Sequence, residues 1–261
     1  MGSIYAIANQ KGGVGKTTTA INLGAYLSEN EKKVLLIDID PQANATSSIG
    51  VDKENIKGGT YEALLGISEP SENILHNPRL KMDLLPSTPG LAGAGVELVN
   101  EEGREHRLKN AIVGVNDIYD YILIDCPPSL GLLTLNGLLA AVDGLIIPVQ
   151  CEYLALEGLG QLIQTLNRIR SSISPTLQIR GVLLTMYDSR TNLSADVVEE
   201  VKKYFPDQVF QAIIPRSVRL AEAPSYGIPI SIYDPNSSGG VAYRSLAEEL
   251  METDEETVAI A

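Results

Sequence analysis

Glycine, lysine and threonine crowd into Gln10-Lys11-Gly12-Gly13-Val14-Gly15-Lys16-Thr17-Thr18-Thr19. Glycines at 12, 13 and 15 add no core volume, so what they offer is backbone freedom and bare N–H groups against which an anion can lie. Gly15-Lys16-Thr17 reads as the end of a phosphate-binding loop. Its amides and the dipole of the following helix face a phosphate, Lys16 reaches the β- and γ-phosphates, and the Thr17 hydroxyl ligates Mg²⁺ directly. Gly12, Gly13, Val14, Gly15, Lys16, Thr17 and Thr18 are therefore the expected phosphate contacts. The usual pattern places glycine at position 10, where this chain has Gln10, and the departure comes with a second lysine, Lys11. A dinucleotide-binding turn fails on spacing, because it needs glycine or alanine where Thr18 stands.

Carboxylates come next. Asp38 and Asp40 close the apolar run Val34-Leu35-Leu36-Ile37, and Asp125 closes Tyr121-Ile122-Leu123-Ile124. Short continuous apolar runs ending in acid are expected of parallel strands buried on both faces, whose carboxyl ends carry the ligand site. Asp125 has the Walker B form, suited to holding a water on the Mg²⁺ bound by Thr17. Cys126-Pro127-Pro128-Ser129-Leu130-Gly131 follows as a stiff segment ending in a hinge.

The elements that must position these groups are legible in outline. Strands are expected at Ile4–Ala8, Val34–Asp38, Met82–Leu85, Tyr121–Asp125, Gly144–Gln150 and Ile179–Met186. Helices are expected at Thr17–Leu27, Thr60–Leu65, Leu91–Leu98, Tyr153–Arg170 and Val241–Thr253, with another entered from Glu101–Lys109 and an acidic tail after the last. The pattern implies an α/β fold: a doubly wound, mostly parallel sheet flanked by helices, as in P-loop NTPases, with residues 1–261 as a single domain.

Lys-Gly-Gly-Val-Gly-Lys-Thr-Thr at 11–18 resembles the deviant Walker A box of the ParA/MinD superfamily of ATPases. Asp38-Ile39-Asp40-Pro41-Gln42-Ala43-Asn44-Ala45-Thr46 resembles its first switch, Asp125 to Gly131 its second, and Cys151 to Gly158 the chromosomal ParA (Soj) subgroup, where that region lies near the dimer face. The resemblance implies an ATP-dependent homodimer in which Lys11 reaches the nucleotide held by the partner and Asp40 orients the attacking water and helps hold Mg²⁺ through water. In it Asp38 is more structural, and backbone near Met186 and Pro215 frames the adenine. Lys11, Lys16 and Asp40 are then the catalytic residues. It further implies non-specific DNA binding through Arg190 and Arg219, with Arg216 close by, stimulation by a ParB-like protein, and a nucleoid-associated location. The other reading of these arginines is pairing with acids such as Asp188 and Glu222. Relatives often carry basic residues after Tyr-Asp-Pro near the C-terminus, where this chain has Asn236-Ser237-Ser238.

Composition bounds the rest. A net charge of −13 argues against broad adhesion to DNA or anionic lipid. Asn-Lys-x-Asp, the guanine-reading tetrapeptide, is absent, which favours ATP. Cys126 and Cys151 are too few for a disulfide framework, so a cytoplasmic chain is expected, with no membrane span. The nitrogenase iron protein shares this fold and bridges a cluster with cysteines, but Cys126 beside Asp125 and Cys151 after a later strand suit no four-thiolate cage. An ATP-gated positioning module for a protein cargo, without DNA contact, is the alternative function.

Overall fold

The computed structural model describes residues 2–153 and 155–260. Seven strands run β1 (Ser3–Ile7), β2 (Val34–Asp38), β3 (Leu75–Asn77), β4 (Met82–Leu85), β5 (Tyr121–Asp125), β6 (Gly144–Gln150) and β7 (Ile179–Thr185), in the sheet order β3-β4-β2-β5-β1-β6-β7. All pair in parallel except β3, an antiparallel edge strand on β4. Every residue of β2 and β5 is buried, as a parallel sheet covered on both faces requires.

The helices are α1 (Lys16–Glu29), α2 (Asn44–Ser48), α3 (Thr60–Leu65), α4 (Pro70–Asn73), α5 (Ala94–Glu97), α6 (Arg107–Ala111), α7 (Leu132–Ala140), α8 (Ala155–Ser172), α9 (Asn192–Tyr204), α10 (Val218–Glu222), α11 (Ile230–Tyr233) and α12 (Ser238–Ile260). Alternate strand residues divide between two cores. Ile4, Ile37 and Ile124 pack with α3 and α5 to α9; Tyr5, Leu36 and Leu123 pack with α1, α2 and α10 to α12. The sheet is thus doubly wound, with a crossover helix able to bury an apolar stripe on either side.

Register sets the site. Asp38 lies directly opposite Asp125, and Ile7 opposite Asp125 on its other side, so both aspartates and the loop leaving β1 meet at one end of the sheet.

Several elements depart from the expected outline. Pro89 and the glycines at 90, 93 and 95 break the expected Leu91–Leu98 helix into a 3₁₀ turn at Pro89–Gly93, the short α5, and a second 3₁₀ turn at Leu98–Asn100. The helix entered from Glu101–Lys109 begins only at Arg107. β7 stops at Thr185 because Met186 turns into the left-handed region, φ 52°. The acidic residues after Thr253 form no loose tail: α12 continues through them, and Asp254 is held by Arg180 at 2.8 Å and by the Tyr5 hydroxyl at 2.8 Å. Leu154, within the segment matched to the Soj subgroup, lies outside the described residues.

Candidate nucleotide site

The loop between β1 and α1 is built by two left-handed glycines, Gly13 at φ 75° and Gly15 at φ 91°. Gln10 needs no such freedom; its amide donates to Thr165 Oγ1 on α8 at 3.2 Å. A side chain at Gly12 or Gly13 would meet nothing within 4 Å, so this stretch of backbone faces open space. Two residues that the sequence motif does not mark hold the loop in place. Asn9 accepts from the Lys11 amide and donates to the Pro148 carbonyl at 2.7 Å, and Thr185 Oγ1 donates to the Val14 carbonyl at 2.9 Å. The two carbonyls they bind lie 139 and 171 residues away in the chain, and no local pattern announces them.

The two lysines differ sharply. Lys16 is buried, and its Nζ donates to the Lys11 carbonyl at 3.1 Å. Burial lowers its pKa, opposed by the charges of Asp125 and Asp40. Lys11 is half-buried, and its side chain has no partner among the described residues.

Thr17 Oγ1 donates to Asp125 Oδ2 at 2.7 Å. Asp125 Oδ1 is buried with no hydrogen-bond partner. Burial, and next the neighbouring Asp38, raise the Asp125 pKa well above the usual carboxylate range. Asp38 is fully enclosed; Thr46 donates to its Oδ2 through both N–H (2.9 Å) and hydroxyl (2.7 Å), and the Asp40 amide donates to Oδ1 at 3.1 Å. Burial pushes Asp38 up to about 6 despite those donors. Asp40 is buried and accepts from the Gln42 amide at 2.9 Å. Asp125 and Asp40 are the carboxylates whose charges act on the Lys16 ammonium, and oxygen donors of this kind suit Mg²⁺. The orphaned Asp125 oxygen fits a Mg²⁺-bound water as donor, and Thr17, its proton already given to Asp125, keeps lone pairs for the metal itself.

Beside the loop lies a mainly apolar cavity of about 120 Å³. Gly15 and Thr18 line it, as do Met186 and Pro215, with Leu220 and Tyr243 as unforeseen walls. Tyr243 reaches it from α12 and shares a 3.1 Å hydrogen bond with Thr19. Backbone bonds from Tyr187 N to Ile214 O and from Arg216 N to Tyr187 O bring the two framing segments together. A wider concavity, about 660 Å³ between α3 and α6, contains none of the residues of the phosphate loop or its aspartates.

The AAA domain family (AAA_31) matches residues 2–179. The chromosome partitioning protein ParA of Myxococcus xanthus is 54% identical over 255 residues, 97% of this chain and 89% of its own. The sporulation initiation inhibitor protein Soj of Bacillus subtilis is 54% identical over 250 residues, 96% of this chain and 98% of its own. The chain belongs to the ParA/Soj family of P-loop ATPases. A solved structure named cobyrinic acid a,c-diamide synthase, from Mycobacterium smegmatis with ATP analog and magnesium, matches with TM-score 0.86 and 40% identity, covering 98% of this chain and 96% of that one. The septum site-determining protein MinD of Pyrococcus horikoshii with Mg-ADP matches with TM-score 0.77 and 28% identity, covering 96% of each chain.

Two further features bear on the ParA/Soj resemblance. Arg190, Arg216 and Arg219 are all exposed, and each is paired with an acid: Arg190 with Asp188 at 2.6 Å, Arg216 with Glu152 at 2.9 Å, Arg219 with Glu222 at 3.1 Å and Asp234 at 3.5 Å. Arg190 holds Asp188 well below the usual carboxylate range. Pairing with neighbours, the second reading of these arginines, is thus what this conformation contains, although ion pairs this exposed are weak, because water and salt screen them. Both thiols are buried, 1% exposed at Cys126 and 2% at Cys151, which is packing rather than a ligand set shared across subunits. Among the described residues no helix is long and apolar enough to cross a membrane.

Proposed function

We propose that this chain, acting as one domain over residues 1–261, is a ParA/Soj-type partitioning ATPase that pairs on binding ATP, holds DNA without sequence preference as a dimer, and separates after hydrolysis. The observation that carries the reading is the contact of Thr17 with Asp125 at the start of α1, with Asp125 Oδ1 left for one further donor. Thr17 directly, and Asp40 and Asp125 through water, would hold Mg²⁺, which when bound offsets charge on the phosphates. The amides of Gly12 to Thr18 and the Lys16 ammonium grip the triphosphate, Lys11 contributes its charge to the partner's nucleotide, and Asp40 orders the attacking water. Met186 and Pro215 frame the adenine. Intrinsic turnover is slow, since the proposed machinery contains no strong base, and a ParB-like protein accelerates it at the nucleoid. A relative named for chromosome partitioning stands at 54% identity and the synthase-named structure at 40%, which supports partitioning over amide synthesis.

The acid-paired arginines and the net charge of −13 favour one second reading, an ATP-gated positioning module that never touches DNA. Gel shift of random-sequence duplex at low salt, with ATP and Asp40→Ala to block hydrolysis, separates them. Partitioning predicts retention that needs ATP and is abolished by Arg219→Glu. Unshifted DNA, with ATP-driven dimers seen by light scattering, would leave the cargo reading standing.

A further inference from the structure

Asp40 performs its proposed task only if its short segment is held at one angle to the phosphate loop, and two hydroxyls from outside the switch do the holding. Ser87, two residues past β4, donates its Oγ proton to the Asp40 carbonyl at 2.7 Å, which also accepts the Ala43 amide at 2.8 Å. Its own amide donates to Thr46 Oγ1 at 3.0 Å, and that hydroxyl in turn donates a hydrogen bond to Asp38 Oδ2 at 2.7 Å. Thr60, at the start of α3, donates Oγ1 to the Asp38 carbonyl at 2.7 Å, while its amide bonds the Pro86 carbonyl at 2.9 Å. Ser87, Thr60, Thr46 and Asp38 are all fully buried.

The carbonyls on either side of Ile39 are therefore each capped by a side chain lying outside the switch motif, and the two caps are joined through Pro86-Ser87. Ala43, in the left-handed region at φ 53°, ends the turn they stabilise. Neither hydroxyl lines the phosphate loop or the base cavity. Buried hydroxyls spent on an irregular segment, when a sheet edge or water could satisfy it, are the usual means of fixing a functional group against rigid elements.

We propose that Ser87 and Thr60 are positioning residues for hydrolysis, clamping the backbone of Asp38–Asp40 so that the Asp40 carboxylate stays aimed at the attacking water. This rests on the reading in which Asp40 orders that water. Because the clamp acts on a group that matters in the transition state and leaves the phosphate loop alone, its loss should lower kcat and spare nucleotide binding.

The test uses the full chain with Mg-ATP. Thr60→Val keeps the shape and removes the hydroxyl; Ser87→Ala removes the other; Thr60→Ser restores the donor. Phosphate release gives kcat, fluorescent-ATP titration gives affinity, and melting confirms folding. Each deletion should lower kcat about tenfold with affinity changed less than about twofold, and Thr60→Ser should recover most of the rate. Unchanged kcat in Thr60→Val, parallel loss of kcat and affinity, or failure of Thr60→Ser to recover would overturn the clamp. Asp40→Ala separates the two levels. If it hydrolyses normally the underlying assignment is wrong, whereas if it is dead and Thr60→Val is normal only the clamp is.

Discussion

Lys11 and Lys16 sit five residues apart and are treated oppositely by the fold. Lys16 is enclosed, tied to a main-chain carbonyl and balanced by Asp125 and Asp40; Lys11 is half-buried with no side-chain partner among the described residues. A cation doing nothing for its own subunit is available to another. Lys11→Ala should leave stability within about 0.5 kcal/mol, as for a surface substitution away from any special feature. It should nevertheless remove ATP-driven pairing and cut hydrolysis by about 10³-fold, the range of a charge supplied in trans. Light scattering with ATP and a phosphate-release assay check both; a variant that still pairs and hydrolyses would end the trans assignment. At this scale the phosphate loop and its acids are legible because their spacing is local. Asn9 and Thr185 are not, since each acts through a carbonyl brought near only by the sheet.

Elements show where local reading stops. The strands of the sheet centre are visible as apolar runs, but β3 is three residues long, mostly exposed, and has no pattern to find. The end of α12 reads as an acidic tail because the partner of Asp254 is Arg180, 74 residues away. Asp254 and Arg180 are only 13% and 17% exposed, so Asp254→Ala would take the carboxylate from a nearly enclosed guanidinium and leave the Tyr5 hydroxyl without its acceptor, only the Arg180 Nε contact at 3.4 Å remaining to it. We expect a loss of about 2–4 kcal/mol in urea unfolding, with Asp254→Asn recovering part of it through the Tyr5 bond. A second joint lies between α2 and the turn after α10, where Gly50 and Gly227 meet backbone to backbone. A Cβ on Gly227 would stand 2.7 Å from the Gly50 Cα, and its φ is +66°. Gly66 has a matching φ of +68° and open space around it. Gly66→Ala should therefore cost only the conformational penalty, about 1 kcal/mol, and Gly227→Ala about 1–3 kcal/mol more. Equal losses in the two unfolding curves would mean that the joint yields.

For the whole molecule the governing fact is charge. At −13 the chain repels DNA at long range, and its arginines enter any complex by leaving Asp188, Glu152, Glu222 and Asp234. Sequence reading foresees both sides of this contest, the family-like arginines and their acidic neighbours, but cannot weigh them, because the Arg216–Glu152 and Arg219–Asp234 pairs form only in the fold. Exposed pairs are weak enough for phosphate to displace, whereas net repulsion persists, so binding should exist at low salt and fade quickly. If all six arginines of a dimer reach phosphates, log affinity against log salt should fall with a slope of about −5.4. Arg219→Ala removes two of those contacts and should reduce the slope to about −3.6 while weakening binding equally on unrelated duplexes. Fluorescence anisotropy of two such duplexes, titrated with the ATP-bound Asp40→Ala protein across a range of salt, measures both quantities. A slope unmoved by Arg219→Ala would place that residue off the DNA, and a loss confined to one duplex would mean that bases are read.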